Sequence, residues 1–141
     1  MDYLTVLDLE ATRDSGPWPT QDIIEFPVVV VDCARLGDPQ YIPSQLFRRY
    51  VRPIQRPQLT DFCTGLTGIS QDTIDAAEPF ASLLREFEQF FLDLSQGGLK
   101  SVAFVTCGDW DLRSMLPWQC ALAGVKVPAF LKAYQEACPG R

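Results

Sequence analysis

Apolar positions along the chain follow two different periods, and the change between them divides it. Up to Val51 they come in short runs rich in β-branched residues and broken by turn formers. From Pro79 onward they fall three and four residues apart. The first regime predicts strands over 3–8 (Tyr3-Leu4-Thr5-Val6-Leu7-Asp8), over 23–32 (Ile23 to Asp32) and over 46–51, the last stopped by Pro53. Asp14-Ser15-Gly16-Pro17-Trp18-Pro19 and Gly37-Asp38-Pro39 supply the turn chemistry between them. Pro27, inside the second run, has no N–H for a ladder, which predicts a bulge or an irregular start there. Three strands with short links predict an antiparallel meander.

In the second regime Leu66-Thr67-Gly68-Ile69-Ser70 leads into a short helical stretch, and Pro79 opens a longer helix. Its apolar stripe is Phe80, Leu83, Leu84, Phe87, Phe91 and Leu94, ended by Gly97-Gly98. Val102 to Thr106 predicts a fourth strand. Gly108-Asp109 then precedes a helix that begins at Trp110-Asp111-Leu112, carries Met115 and Leu116, and is broken or restarted by Pro117. No element is predicted from Ala133 to Arg141, so 1–132 forms the expected domain and 133–141 an irregular tail. The order β-β-β-α-β-α predicts an α/β domain with a mixed sheet: antiparallel strands one to three, then a parallel fourth.

Bulk composition narrows the chemistry. With 141 residues, 47% of them hydrophobic and 21% charged, the chain has material for one ordinary core. No run is long and apolar enough to span a membrane, and no basic leader with a cleavage site precedes the first strand, so a cytosolic or nuclear location is expected. The five cysteines are scattered, and histidine is absent altogether, which argues against structural zinc and for reduced thiols. A net charge of −6 argues against broad phosphate-backbone binding. Arg48, Arg49, Arg52 and Arg56 make one local basic strip, compatible with a small nucleic-acid contact and equally with a solvated edge strand; the solvated strand is preferred.

Asp8 and Glu10, one residue apart at the end of a strand, point to one face. Such like charges repel unless a cation lies between them, although a cap or a salt bridge would also account for either acid. Asp111, just after the fourth strand, changes the balance. If that strand runs parallel to the first and beside it, Asp111 converges on Asp8 and Glu10. Three carboxylates then make a hard-oxygen site suited to Mg²⁺ or Mn²⁺ and to phosphodiester cleavage.

Further segments stand in order around these acids: Glu25-Phe26-Pro27, Tyr50-Val51-Arg52-Pro53, Leu59-Thr60-Asp61-Phe62-Cys63, Leu66-Thr67-Gly68-Ile69 and Val105-Thr106-Cys107-Gly108-Asp109-Trp110-Asp111. With Asp8-Leu9-Glu10-Ala11-Thr12 they resemble the Eri-type 3′–5′ exoribonucleases of the DEDD exonuclease superfamily, over Tyr3 to Cys120. The resemblance implies an RNase H-like fold and hydrolysis of RNA from a single-stranded 3′ end, with DNA not distinguished from RNA. It also implies two divalent ions in a complete site, with Asp8, Glu10 and Asp111 as catalytic and metal-binding acids. By the same resemblance, Ala11, Phe62, Leu66 and Trp110 form the terminal-nucleotide pocket, for which core packing of Phe62 and Trp110 is the alternative.

The chain departs from that family in one place. The family's third motif, a histidine base followed by a last metal-binding aspartate, is not found: there is no histidine, and the only acid after Asp111 is Glu136. Tyr134 has no aspartate after it in a useful register. Two expectations follow. Either the chain is a C-terminally truncated exonuclease, inactive or weakly active, or it is a non-catalytic module that binds RNA ends or a protein partner.

Overall fold

The sheet is organised around the ten-residue strand β3, Ile23–Asp32. In the computed structural model, which describes residues 1–13 and 20–137, β1 (Tyr3–Leu7) and then the short β2 (Glu10–Ala11) run antiparallel along one side of it. β4 (Leu46–Tyr50) runs antiparallel along its other side, and β5 (Val102–Val105) lies parallel to β1. The expected mixed sheet is therefore present. The loop predicted at 14–19 lies outside the described residues, as do 138–141.

The register explains where β1 stops. Leu7 faces Val28, so the next position, Asp8, falls opposite Pro27, which has no N–H to offer. Pairing lapses at Asp8 and Leu9 and resumes at Glu10 opposite Glu25. The irregularity expected at Pro27 is thus displaced: β3 runs through the proline, and the register shift lies between Glu10 and Ala11, which face Glu25 and Ile23.

One face of the sheet is covered. Leu7, Val28 and Phe47 point into a core with Phe80, Leu83, Leu84 and Phe87 from the helix α3 (Phe80–Leu94). Phe87 is fully buried, with ring centroids 4.8 Å from Phe26 and 5.3 Å from Phe47. Burying one such side chain is worth about 1.5–3 kcal/mol. On the other face Val105, Val6, Val29 and Leu46 form an exposed apolar row across four strands.

Three helical features differ from expectation. A helix α1, Asp61–Thr67, precedes the expected short one (α2, Gln71–Asp75). Thr60 caps it by accepting the Cys63 N–H, and Gly68 closes it with a positive φ of 72°. It buries only Cys63, so it has no apolar stripe to betray it. The helix expected at Trp110 begins with a π-helical turn, Asp111–Met115, in which the Leu116 N–H reaches the Asp111 carbonyl. Pro117 does not end it but sits in the first turn of α4, Leu116–Leu122. Finally, the predicted tail is helical as far as residue 137: α5, Ala129–Ala137, buries Leu131 and stacks Phe130 on Phe91 at 3.8 Å. That tertiary contact seats the first turn of α5 against α3.

Candidate active site

Because β1 and β5 are parallel, with Val6 facing Val105, both end at the same edge of the sheet. Residues leaving the C-terminal ends of adjacent parallel strands gather at such an edge, where ligand sites commonly form. Burial continues to alternate past the end of β1: Leu7, Leu9 and Ala11 are buried, while Asp8 is exposed and Glu10 half-buried. The two acids therefore share a side, as the period of two requires. From β5 the chain turns at Gly108, whose φ of 84° is accessible to glycine and strained for other residues. The turn delivers Asp111 into the first helical turn, where it is buried and its Oδ2 accepts the Leu9 N–H at 3.4 Å.

Asp8, Leu9, Arg13, Cys107, Trp110 and Asp111 line one open cavity of about 390 Å³. That volume lies in the range of small-molecule pockets. Burial pushes the Glu10 carboxyl above its usual range; the Arg13 charge opposes this, while Asp8, Glu25 and Asp111 add to it. Asp111 is also pushed up, first by burial, against the Leu9 hydrogen bond, and further by the charge of Asp8. These acids accumulate negative charge that the fold does not fully compensate, the pattern expected where a ligand completes the balance.

The donor set suits a hard divalent cation, being all carboxylate oxygen. Among the described residues, however, no three Asp, Glu, His or Cys side chains form a ready-made metal cage. Asp8, Glu10 and Asp111 are neighbours in charge, and a metal would have to draw them together.

The other predicted residues divide. Trp110 lines the cavity and, partly buried, also packs against the core. Phe62 and Leu66 stand one turn apart on α1, 64% and 58% exposed, so neither is core. Ala11 is fully buried, and its carbonyl accepts from the Cys63 thiol. Ala11, Phe62 and Leu66 do not line the cavity.

The basic strip is largely tied down. Arg48 pairs with the nearly buried Glu25, Arg49 with Glu86 at 2.7 Å, and Arg52 donates to the Asp75 carbonyl. Arg56 donates to Thr20. Two neighbours of the site were not singled out from the sequence. Glu25 was quoted in a motif, but only strand pairing places it opposite Glu10. Arg13 follows the Asp8–Thr12 motif directly, a cation beside two acids, and that adjacency was the available signal.

Comparison with known proteins bears on this geometry. The exonuclease family model RNase_T matches residues 5–137. ERI1 exoribonuclease 3 of Homo sapiens is 41% identical over 134 residues, covering 94% of this chain and 38% of that protein. The 3'-5' exoribonuclease 1 of Mus musculus is 37% identical over 136 residues, with the same coverage. The chain thus spans well under half the length of these curated relatives. Among solved structures, the nuclease domain of 3'hExo, a DEDDh family member bound to rAMP, superposes with a TM-score of 0.80 at 37% identity, covering 92% of this chain and 63% of that one. A 3'-exonuclease described as recognising the 3′ end of a histone mRNA stem-loop superposes with a TM-score of 0.81, covering 93% and 44%.

Proposed function

The chain belongs to the exonuclease family and, within it, to the Eri-type 3′–5′ exoribonucleases; on that premise we propose that its cavity receives the 3′-terminal nucleotide of a single-stranded RNA. The observation that supports this is that Asp8 and Asp111 line one cavity at the shared end of β1 and β5, with Glu10 near enough that their charges add to burial in raising its carboxyl. Asp8, Glu10 and Asp111 would hold Mg²⁺ or Mn²⁺, two ions in a complete site. Bound there, the metal supplies charge for the developing oxyanion and lowers the pKa of water. The Leu9 N–H orients Asp111, and Trp110 offers a face on which the terminal base stacks. Phe62 and Leu66, outside the cavity, are exposed on α1, whose start is tied to the backbone of the cavity residue Arg13.

These 141 residues contain no histidine, so no imidazole takes a proton from the attacking water. A general base contributes on the order of 10²–10⁴ in rate. Taken alone, the chain should therefore bind a 3′ end much better than it cleaves one. The presence of Phe62, Leu66 and Trp110, the first two exposed and the third on the cavity, favours a second reading, a module that retains RNA-end binding without catalysis.

The test is a gel-based trimming assay on 3′-hydroxyl RNA with Mg²⁺, alongside a binding titration in Ca²⁺. The expected result is measurable binding that requires a free 3′ end, weakened by Trp110→Ala, with trimming slow or absent. Rapid Mg²⁺-dependent trimming abolished by Asp8→Asn would overturn the inactivity. Absence of any RNA binding would overturn the site assignment itself.

A further inference from the structure

Arg13 has a place in the cavity that its position beyond the acidic motif does not explain by itself. Its backbone is fixed on both sides by α1: its N–H donates to Cys63 Sγ at 3.4 Å, and its carbonyl accepts from Thr60 Oγ1 at 3.1 Å. Thr60 is also the cap of α1, so this segment and the start of the helix are held as one piece. From that anchor the side chain lines the cavity with Asp8, Trp110 and Asp111. Among the described residues it forms no ion pair with any carboxylate, although its charge is felt by both Glu10 and Asp111. The arginines of the 48–56 strip, by contrast, are committed to protein partners.

A guanidinium on an anchored backbone, at a nucleotide-sized cavity and with no salt bridge among the described residues, suits a phosphate. Its planar fork matches two phosphate oxygens, and little order is lost when they bind. The acids of the site cannot contact that phosphate directly without repulsion, whereas the Arg13 guanidinium can. We propose that Arg13 is a substrate-positioning residue that donates from its guanidinium to the non-bridging oxygens of the 3′-terminal phosphodiester. The inference rests on the RNA-end reading of the cavity. It assigns the phosphate contact to a residue outside the carboxylate set and outside the aromatic pocket.

The experiment pairs a protein change with a ligand change. A short RNA with a free 3′ hydroxyl, and the same RNA with a neutral methylphosphonate at its terminal linkage, are titrated in Ca²⁺ against the wild-type chain, Arg13→Ala and Arg13→Lys. Arg13→Ala is expected to weaken the natural RNA about tenfold and leave the methylphosphonate RNA nearly unchanged, since a charge-assisted contact contributes in that range. Arg13→Lys is expected to recover part of the loss. Equal losses on both RNAs would overturn the proposal, because Arg13 would then act only as a counter-charge to the acids. No loss on either RNA overturns it as well. If the wild-type chain binds neither RNA, the nucleotide reading of the cavity fails, and this inference with it. Near-identical far-UV circular dichroism and melting of the variants separate a lost contact from a lost fold.

Discussion

The two ends of the β1–β5 pair treat their acids in opposite ways. At the N-terminal end Asp2 accepts from the Ser101 N–H and from its hydroxyl, both at 2.8 Å, and pairs with Lys100 Nζ at 3.3 Å. Those Ser101 bonds, with the help of Lys100, hold its carboxyl down at about 2. At the C-terminal end, just beyond the last residues of the same two strands, Asp8 and Asp111 line one cavity, and both Glu10 and Asp111 are pushed up. One end satisfies its charge within the protein and ties the strands together. The other leaves charge outstanding, a local cost that a bound cation would relieve. Functional sites are commonly built with this kind of local cost.

The largest effect that would break this comparison is a metal-induced shift in stability. Mn²⁺ or Mg²⁺ in large excess should raise the melting temperature of the wild type; about 2.7 kcal/mol is gained at a hundred times Kd. The shift should vanish in Asp111→Asn and persist in Asp2→Asn, as followed by thermal melts with and without chelator. A shift that survives Asp111→Asn would place the cation elsewhere.

A smaller effect sharpens the same contrast through pH. Glu10 and Asp111 have folded-state pKa values above their unfolded ones. Below the ordinary carboxyl range both states hold the protons and nothing is lost. As pH rises through that range the unfolded chain releases them first, so metal-free stability falls until the folded acids have also ionised. Glu10→Gln should therefore stabilise the metal-free protein at neutral pH, by about 1 kcal/mol or less given its partial exposure, and flatten the slope. Urea midpoints measured from pH 4 to pH 8 would show it. A destabilised Gln variant would mean that Glu10 makes a contact worth more than its repulsion.

The smallest effect belongs to the satisfied end. Asp2→Asn removes a depressed carboxylate whose stabilisation is present above its unfolded pKa and disappears as pH falls toward about 2. The melting temperature should drop slightly at neutral pH and converge with that of the wild type in strong acid. A drop that is the same at every pH would mean that packing, and not charge, joins these strand ends.

Legibility differed across the molecule for reasons that can be named. The strands were visible because β-branched runs have few other uses, and α3 because six apolar residues keep its period. α1 was not, since it buries only Cys63 and turns Phe62 and Leu66 outward. α5 escaped because its first turn is seated by Phe91, far away in sequence, through Phe130. At the site, the acids Asp8, Glu10 and Asp111 were visible from their motifs. Arg13 and Glu25 were not, because their importance lies in what faces them across the fold.

By itself, then, the sequence determined the parts: which segments form strands and the long helix, which acids are present, and that these 141 residues hold no imidazole. Those are matters of local period and residue chemistry. Only the tertiary structure decided how the parts meet. The parallel placement of β5 beside β1 brings Asp111 to Leu9 across 102 positions of chain, and the capped α1 fixes Arg13 beside the acids. Charge acts through distance and burial, and neither is written in the order of residues along a chain.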